Sequence, residues 1–91
     1  EETEEKVKVE IEGSLTEEQQ ATVNSLIDSI QEAKSAVNIE LEAELEDEEV
    51  KVKKEVEGTL TEEQESLVNK LEESLASAED KIKIEIEFEA E

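Results

Sequence analysis

Gly13-Ser14-Leu15-Thr16-Glu17-Glu18-Gln19 returns 45 residues later as Gly58-Thr59-Leu60-Thr61-Glu62-Glu63-Gln64. Each copy reads as the junction between a strand and a helix. The glycine interrupts an alternating run, and Thr with Gln three residues on forms a capping box. Two glutamates follow in the first turn, where the helix dipole favours negative charge. The likeness extends outward: Val7 to Glu46 lies over Val52 to Glu91, and 20 of these 40 positions are identical.

Upstream of the first junction, Val7, Val9 and Ile11 alternate with Lys8, Glu10 and Glu12, the period of a strand with one buried face. Downstream, Val23, Leu26, Ile27, Ile30 and Ala33 recur at steps of three and four, an apolar helical stripe running to about Ser35. Val37, Ile39, Leu41, Ala43 and Leu45 then alternate with Asn38 and a series of glutamates, a second one-sided strand. The other half repeats the states. Val50, Val52 and Val56 mark strand three, and Leu67, Val68, Leu71, Leu75 and Ala78 form the second helical stripe. Ile82, Ile84, Ile86, Phe88 and Ala90 mark strand four. The order is βαββαβ: one domain over residues 1–91, in two pseudo-repeats of about 7–46 and 52–91, with Glu1 to about Glu5 expected to fray.

Thirty acidic residues against nine lysines leave a net charge of -21, which opposes approach to nucleic-acid phosphates or an anionic membrane surface. Cations and basic proteins are the ligands such a surface suits. The chain contains no cysteine, histidine or arginine, so thiolate metal sites, Ser–His and Cys–His nucleophile pairs and arginine phosphate clamps are excluded. Two glycines cannot build a phosphate-binding loop. No apolar run approaches the roughly 20 residues of a membrane-spanning helix. Only 13 amino-acid types occur, and glutamate outnumbers aspartate 27 to 3, a restricted alphabet biased towards helix formers.

Two places depart from the regular plan. The hairpin Glu46-Asp47-Glu48-Glu49 has neither Gly nor Asn, although a two-residue turn calls for positive φ, which leaves room for a longer loop or for strand exchange between two chains. Lys54 falls on the inward parity of Val50, Val52 and Val56, where the first repeat has Val9. A lysine desolvated in an apolar pocket can act as a nucleophilic amine; the alternatives are a local bulge, or a long stem lying along the core with its ammonium in water at the sheet rim. The glutamate ladders on the outer sheet face could attract hard cations diffusely or imitate a phosphate backbone, or serve as a solvated face that keeps the chain soluble. The repeated pairs Gln19/Gln64 and Asn24/Asn69 read as helix caps and boundary amides.

With this order of elements, the regular alternation and the capped helices, the chain resembles de novo designed ferredoxin-like proteins over nearly its whole length. The resemblance implies an α+β two-layer sandwich in which two split βαβ units interleave into a four-stranded antiparallel sheet, order 4-1-3-2, with both helices on one face. Lysines at strand starts (Lys8, Lys51, Lys53, Lys83) and glutamates at strand ends (Glu12, Glu44, Glu57, Glu87) agree with antiparallel neighbours. In that order strands two and four are the edges, and their outward glutamates should repel a second copy. The function expected is structural, a restricted acidic alphabet specifying a fold, with no catalytic, cofactor or metal residues. No nucleic-acid, membrane or protein partner is expected, and the chain should be a monomer unless strands exchange through the 46–49 hairpin. An acidic binding module for cations or a basic protein surface is the alternative, and an amine-catalysing enzyme using Lys54 the third reading.

Overall fold

The structure is a computed structural model that describes residues 5–34 and 36–90. Of the expected frayed end, Glu1–Glu4 lie outside the described residues, and Glu5 already belongs to the first strand. The elements follow as β1 (Glu5–Glu12), α1 (Glu17–Ala33), β2 (Val37–Glu46), β3 (Glu49–Glu57), α2 (Glu62–Leu75) and β4 (Ile82–Ala90). Both helices begin where the capping boxes predict, and both boxes are complete: the Thr16 and Thr61 hydroxyls accept from the Gln19 and Gln64 amides, whose side chains accept in return from the threonine N–H groups. α2 stops short of its apolar stripe. Its last turn tightens, with the Ala78 N–H donating to the Leu75 carbonyl, and Ala78 packs on the core from a turn rather than from the helix.

The expected strand order is corrected. The sheet runs β1-β4-β2-β3, not 4-1-3-2, and every neighbouring pair is antiparallel. In either order each βαβ crossover leaves a one-strand gap, so topology rules alone admit both. Apolar content selects between them. One inward row crosses the sheet as Val9, Ile86, Ile39 and Val56. Ile86 and Ile39 are 0% exposed, whereas Val9 and Val56 are each 37% exposed. β2 and β4 supply Val37, Ile39, Leu41, Ala43, Ile82, Ile84, Ile86 and Phe88 to the core, all buried. Burying an Ile or Phe fully is worth about 1.5–3 kcal/mol, so the richer strands take the centre. The alternative order would place Lys54 in the middle of the sheet, beneath the helices, and leave β4's isoleucines at a wet edge.

α1 lies against β4 and α2 against β2 and β3, while the helices pack on each other over one apolar cluster that includes Val23, Leu26, Ile30, Val68, Leu71 and Leu75. The two halves are related by a pseudo-two-fold that carries each residue n onto n + 45. Buried Gln19 donates from Nε2 to Ser74 Oγ at 2.9 Å, and its equivalent Gln64 donates to the Ser29 carbonyl at 3.2 Å. Each helix start is thereby fastened to the other helix's last turns, so both buried amides have partners.

The hairpin is tight. Asp47 and Glu48 both take positive φ, 44° and 68°, with Glu46 paired to Glu49 across a two-residue turn. Two L-residues hold a left-handed conformation; Asp47, like Asn, tolerates it, while Glu48 stands where Gly is preferred, at a cost of roughly 1 kcal/mol or more. The double substitution Asp47→Asn, Glu48→Gly should therefore raise the stability measured by urea unfolding by about 1–2 kcal/mol. A loss of stability would show that the turn side chains contribute something the backbone angles do not reveal.

Candidate functional site

Two groups of side chains are the candidates for chemistry, and they lie on opposite faces of the sheet. Lys54 is on the helix side of edge strand β3, opposite Leu41 in the ladder. Its Nζ lies 3.4 Å from Glu72 Oε1 and 3.4 Å from Asn69 Oδ1, both on α2, and the residue is exposed. The open groove beside it, about 240 Å³, is lined by Val56, Gly58, Leu60, Glu65, Val68 and Asn69 as well as Lys54. The stem runs over the apolar rim while the ammonium sits in water against a carboxylate. A nucleophilic amine would need the reverse, a dry pocket and no counter-ion.

On the outer face a row of four glutamates crosses the sheet: Glu10, Glu85, Glu40 and Glu55 stand opposite one another on β1, β4, β2 and β3. Adjacent strands are about 4.8 Å apart, so these carboxylates crowd. The cause is the internal symmetry. Glu40 and Glu85 are equivalent positions that flank the pseudo-two-fold axis, so whatever residue the repeat carries there must face its own copy. Neighbouring rows avoid the conflict, since one reads Glu12, Lys83, Glu42, Lys53 and alternates in sign. At the hairpin end Lys51 reaches Glu46 at 2.8 Å and Lys53 reaches Glu44 at 3.7 Å, exposed pairs of the kind worth under about 1 kcal/mol each.

Crowding leaves a mark on one carboxyl. A hydrogen bond with Glu40 is the largest effect raising the Glu85 pKa above its ordinary 4.5; partial burial and the charges of Glu10 and Glu40 add to it, and Lys83 opposes them. Because the folded state holds this proton more tightly than the unfolded chain does, its contribution to stability is present in full below pH 4.5 and is lost as pH rises through the folded-state value. Glu85→Gln, which keeps a donor towards Glu40 and removes the charge, should melt above the parent at pH 7, with the advantage closing as the pH falls to about 4.5. Equal melting temperatures at pH 7 would show that the row is relaxed by solvent.

A depression of about 70 Å³ on this face is lined by Asn38, Glu40, Glu55, Glu57 and Glu85. Among the described residues no three acidic groups converge closely enough to hold a metal ion. Gln19 and Gln64, read from sequence as caps alone, also tie the helices together, a role visible in the sequence only as the recurrence of Ser29 as Ser74. Asn69 contacts Lys54, whereas its equivalent Asn24 accepts from Gln20 Nε2 at 3.3 Å. Among the described residues no helix is long and apolar enough to cross a membrane. No protein-family model matches the chain, and comparison with curated proteins and with solved structures found no significant relative of either kind.

Proposed function

We propose that the role of this chain is structural: a designed scaffold in which a restricted, acidic alphabet specifies a two-layer βαββαβ domain without a catalytic centre. The observation that carries this reading is the duplication of construction devices rather than of chemical groups. The capping boxes, the helix-to-helix hydrogen bonds from the glutamine side chains and the positive-φ glycines all recur at the same offset, and each performs a folding task. Among the described residues, those that differ between the halves gather no set of groups suited to a reaction. Lys54, the third reading's candidate nucleophile, is paired with Glu72 at an exposed rim.

The glutamate row and the net charge of -21 favour one competing reading, an acidic module that associates with cations or with a basic protein surface. Calorimetric titration with calcium and with a lysine-rich peptide in moderate salt separates the two. A scaffold should give only heats that fade as NaCl is raised, while its melting temperature climbs because salt screens self-repulsion. Saturable binding at fixed stoichiometry that survives moderate salt would replace the scaffold reading with the binding module.

A further inference from the structure

The strand order moves the exposed edges to β1 and β3, and these two edges are not alike. On its outer face β1 carries Lys6, Lys8, Glu10 and Glu12 in sequence, two positive charges followed by two negative. On its inner face it carries Val7, Val9 and Ile11, with Val9 exposed and the other two half-buried. A strand with this pattern is complementary to itself when reversed.

We propose that the β1 edge is a docking surface for β1 of a second copy of this chain, paired antiparallel in a register centred on Val9. In that register Lys6 faces Glu12 of the second copy and Lys8 faces its Glu10, so four opposite-charge pairs form on the outer face. On the inner face Val7 meets Ile11 of the second copy, and the two Val9 side chains meet across the new two-fold. The two sheets become one of eight strands, and the unpaired N–H and C=O groups along both edges gain partners.

β3 explains why the pairing is confined to one edge. Its outer face repeats the pattern as Lys51, Lys53, Glu55 and Glu57, and its inner face carries Val52 and Val56 on either side of position 54. The residue at the centre is Lys54, the equivalent of Val9, held inward by Glu72 and Asn69. Self-pairing of β3 in the corresponding register would set two ammonium groups against each other on the two-fold. An inward-pointing charge is one of the devices by which edge strands resist pairing. The mismatch between the repeats therefore leaves one edge open and closes the other, which yields a closed dimer instead of an open-ended array.

Each copy brings a net charge of -21, so long-range repulsion opposes association. Repulsion acting across the molecules is screened by salt more completely than contacts at the edge, since the Debye length falls to about 3 Å at molar ionic strength. The dimer should therefore strengthen, not weaken, as NaCl is raised.

Sedimentation velocity of the full chain across concentration and salt tests the proposal, with far-UV circular dichroism confirming that each variant is folded. The parent should shift from monomer to dimer at high concentration in molar NaCl. Val9→Lys should lose the dimer while staying folded, because Val9 is already 37% exposed and a lysine stem can lie along the rim with its ammonium in water. Lys54→Val should open the second edge and give assemblies larger than dimers. The register has its own readout. Val9→Cys and Val56→Cys would introduce thiols of matched exposure into a chain that has none, and only Cys at 9 should oxidise rapidly to a disulfide-linked dimer. A parent that remains monomeric in molar salt, a Val9→Lys chain that still dimerises, or equal cross-linking from positions 9 and 56 would each overturn the assignment. A Lys54→Val chain no larger than the parent's dimer would overturn the role given to Lys54.

Discussion

Gly13→Ala and Gly58→Ala should each lower the free energy of unfolding by about 3–5 kcal/mol, a large share of the roughly 5–14 kcal/mol expected for a domain of this size. Two costs add. Both glycines take φ near +94°, at 93° and 95°, where an L side chain is strained. A Cβ at Gly13 would also lie 2.5 Å from the Lys81 carbonyl oxygen, and one at Gly58 would lie 2.5 Å from that of Ala36. Both obstacles are backbone atoms at the entry to a central strand, so relief means shifting β4 or β2 away from the start of the neighbouring crossover. Ser14→Ala and Thr59→Ala, one residue on and exposed, should change stability by less than about 0.5 kcal/mol. Urea unfolding at fixed salt measures all four. A loss under about 1 kcal/mol at either glycine would mean that the junction relaxes and that the approach of the two backbones is not required.

The row Val9, Ile86, Ile39, Val56 supplies the second large effect. Ile86→Ala, in the fully buried centre, should cost about 3–4 kcal/mol through lost burial and the cavity left behind. Val9→Ala, measured in dilute, low-salt solution, should cost less than about 1 kcal/mol, since over a third of that side chain is already exposed. The contrast tests the topology directly. In the order 4-1-3-2, β1 would be central and β4 an edge, and the ranking of these two substitutions would reverse.

That ordering is also where sequence and structure part. The elements themselves are legible because each is written in local terms: alternation for strands, three-and-four spacing for helices, and a capping box at each junction. The interleaving is not local: it depends on how much apolar surface each strand brings to the sheet. The decisive signal was present. β2 and β4 each carry five inward apolar residues against three in β1 and three in β3, and β3 includes an inward lysine as well. The lysine and glutamate gradients along the strands could not choose between the orders, because both make every neighbour antiparallel. They did select for antiparallel pairing, as Lys8 opposite Glu87 and Glu44 opposite Lys51 attest. Of the outward glutamates of β2 and β4, expected to guard an edge, Glu40 and Glu85 instead meet each other at the centre of the sheet.

Lys54 was recognisable from its parity as a break in the plan. The partners that define its surroundings, Glu72 and Asn69, come from a helix 15 to 18 residues further on, and their distance depends on packing. The glutamate row was hidden for a related reason: a like-charge contact on a symmetry axis becomes visible only once the register places position 40 against position 85.

The ladder pairs Glu5 with Ala90 in the same geometry as Val50 with Leu45, its counterparts at the offset of 45. The start of β1 and the end of β4 therefore lie side by side where a turn like Asp47-Glu48 would fit. Traced through the described residues, the elements form a ring with one link left out. A chain opened at Asp47-Glu48 and sealed beside Glu5 and Ala90 would run β3, α2, β4, β1, α1, β2 through the same hydrogen-bonded ladders. The choice of which half is read first is then a matter of where the ring is cut.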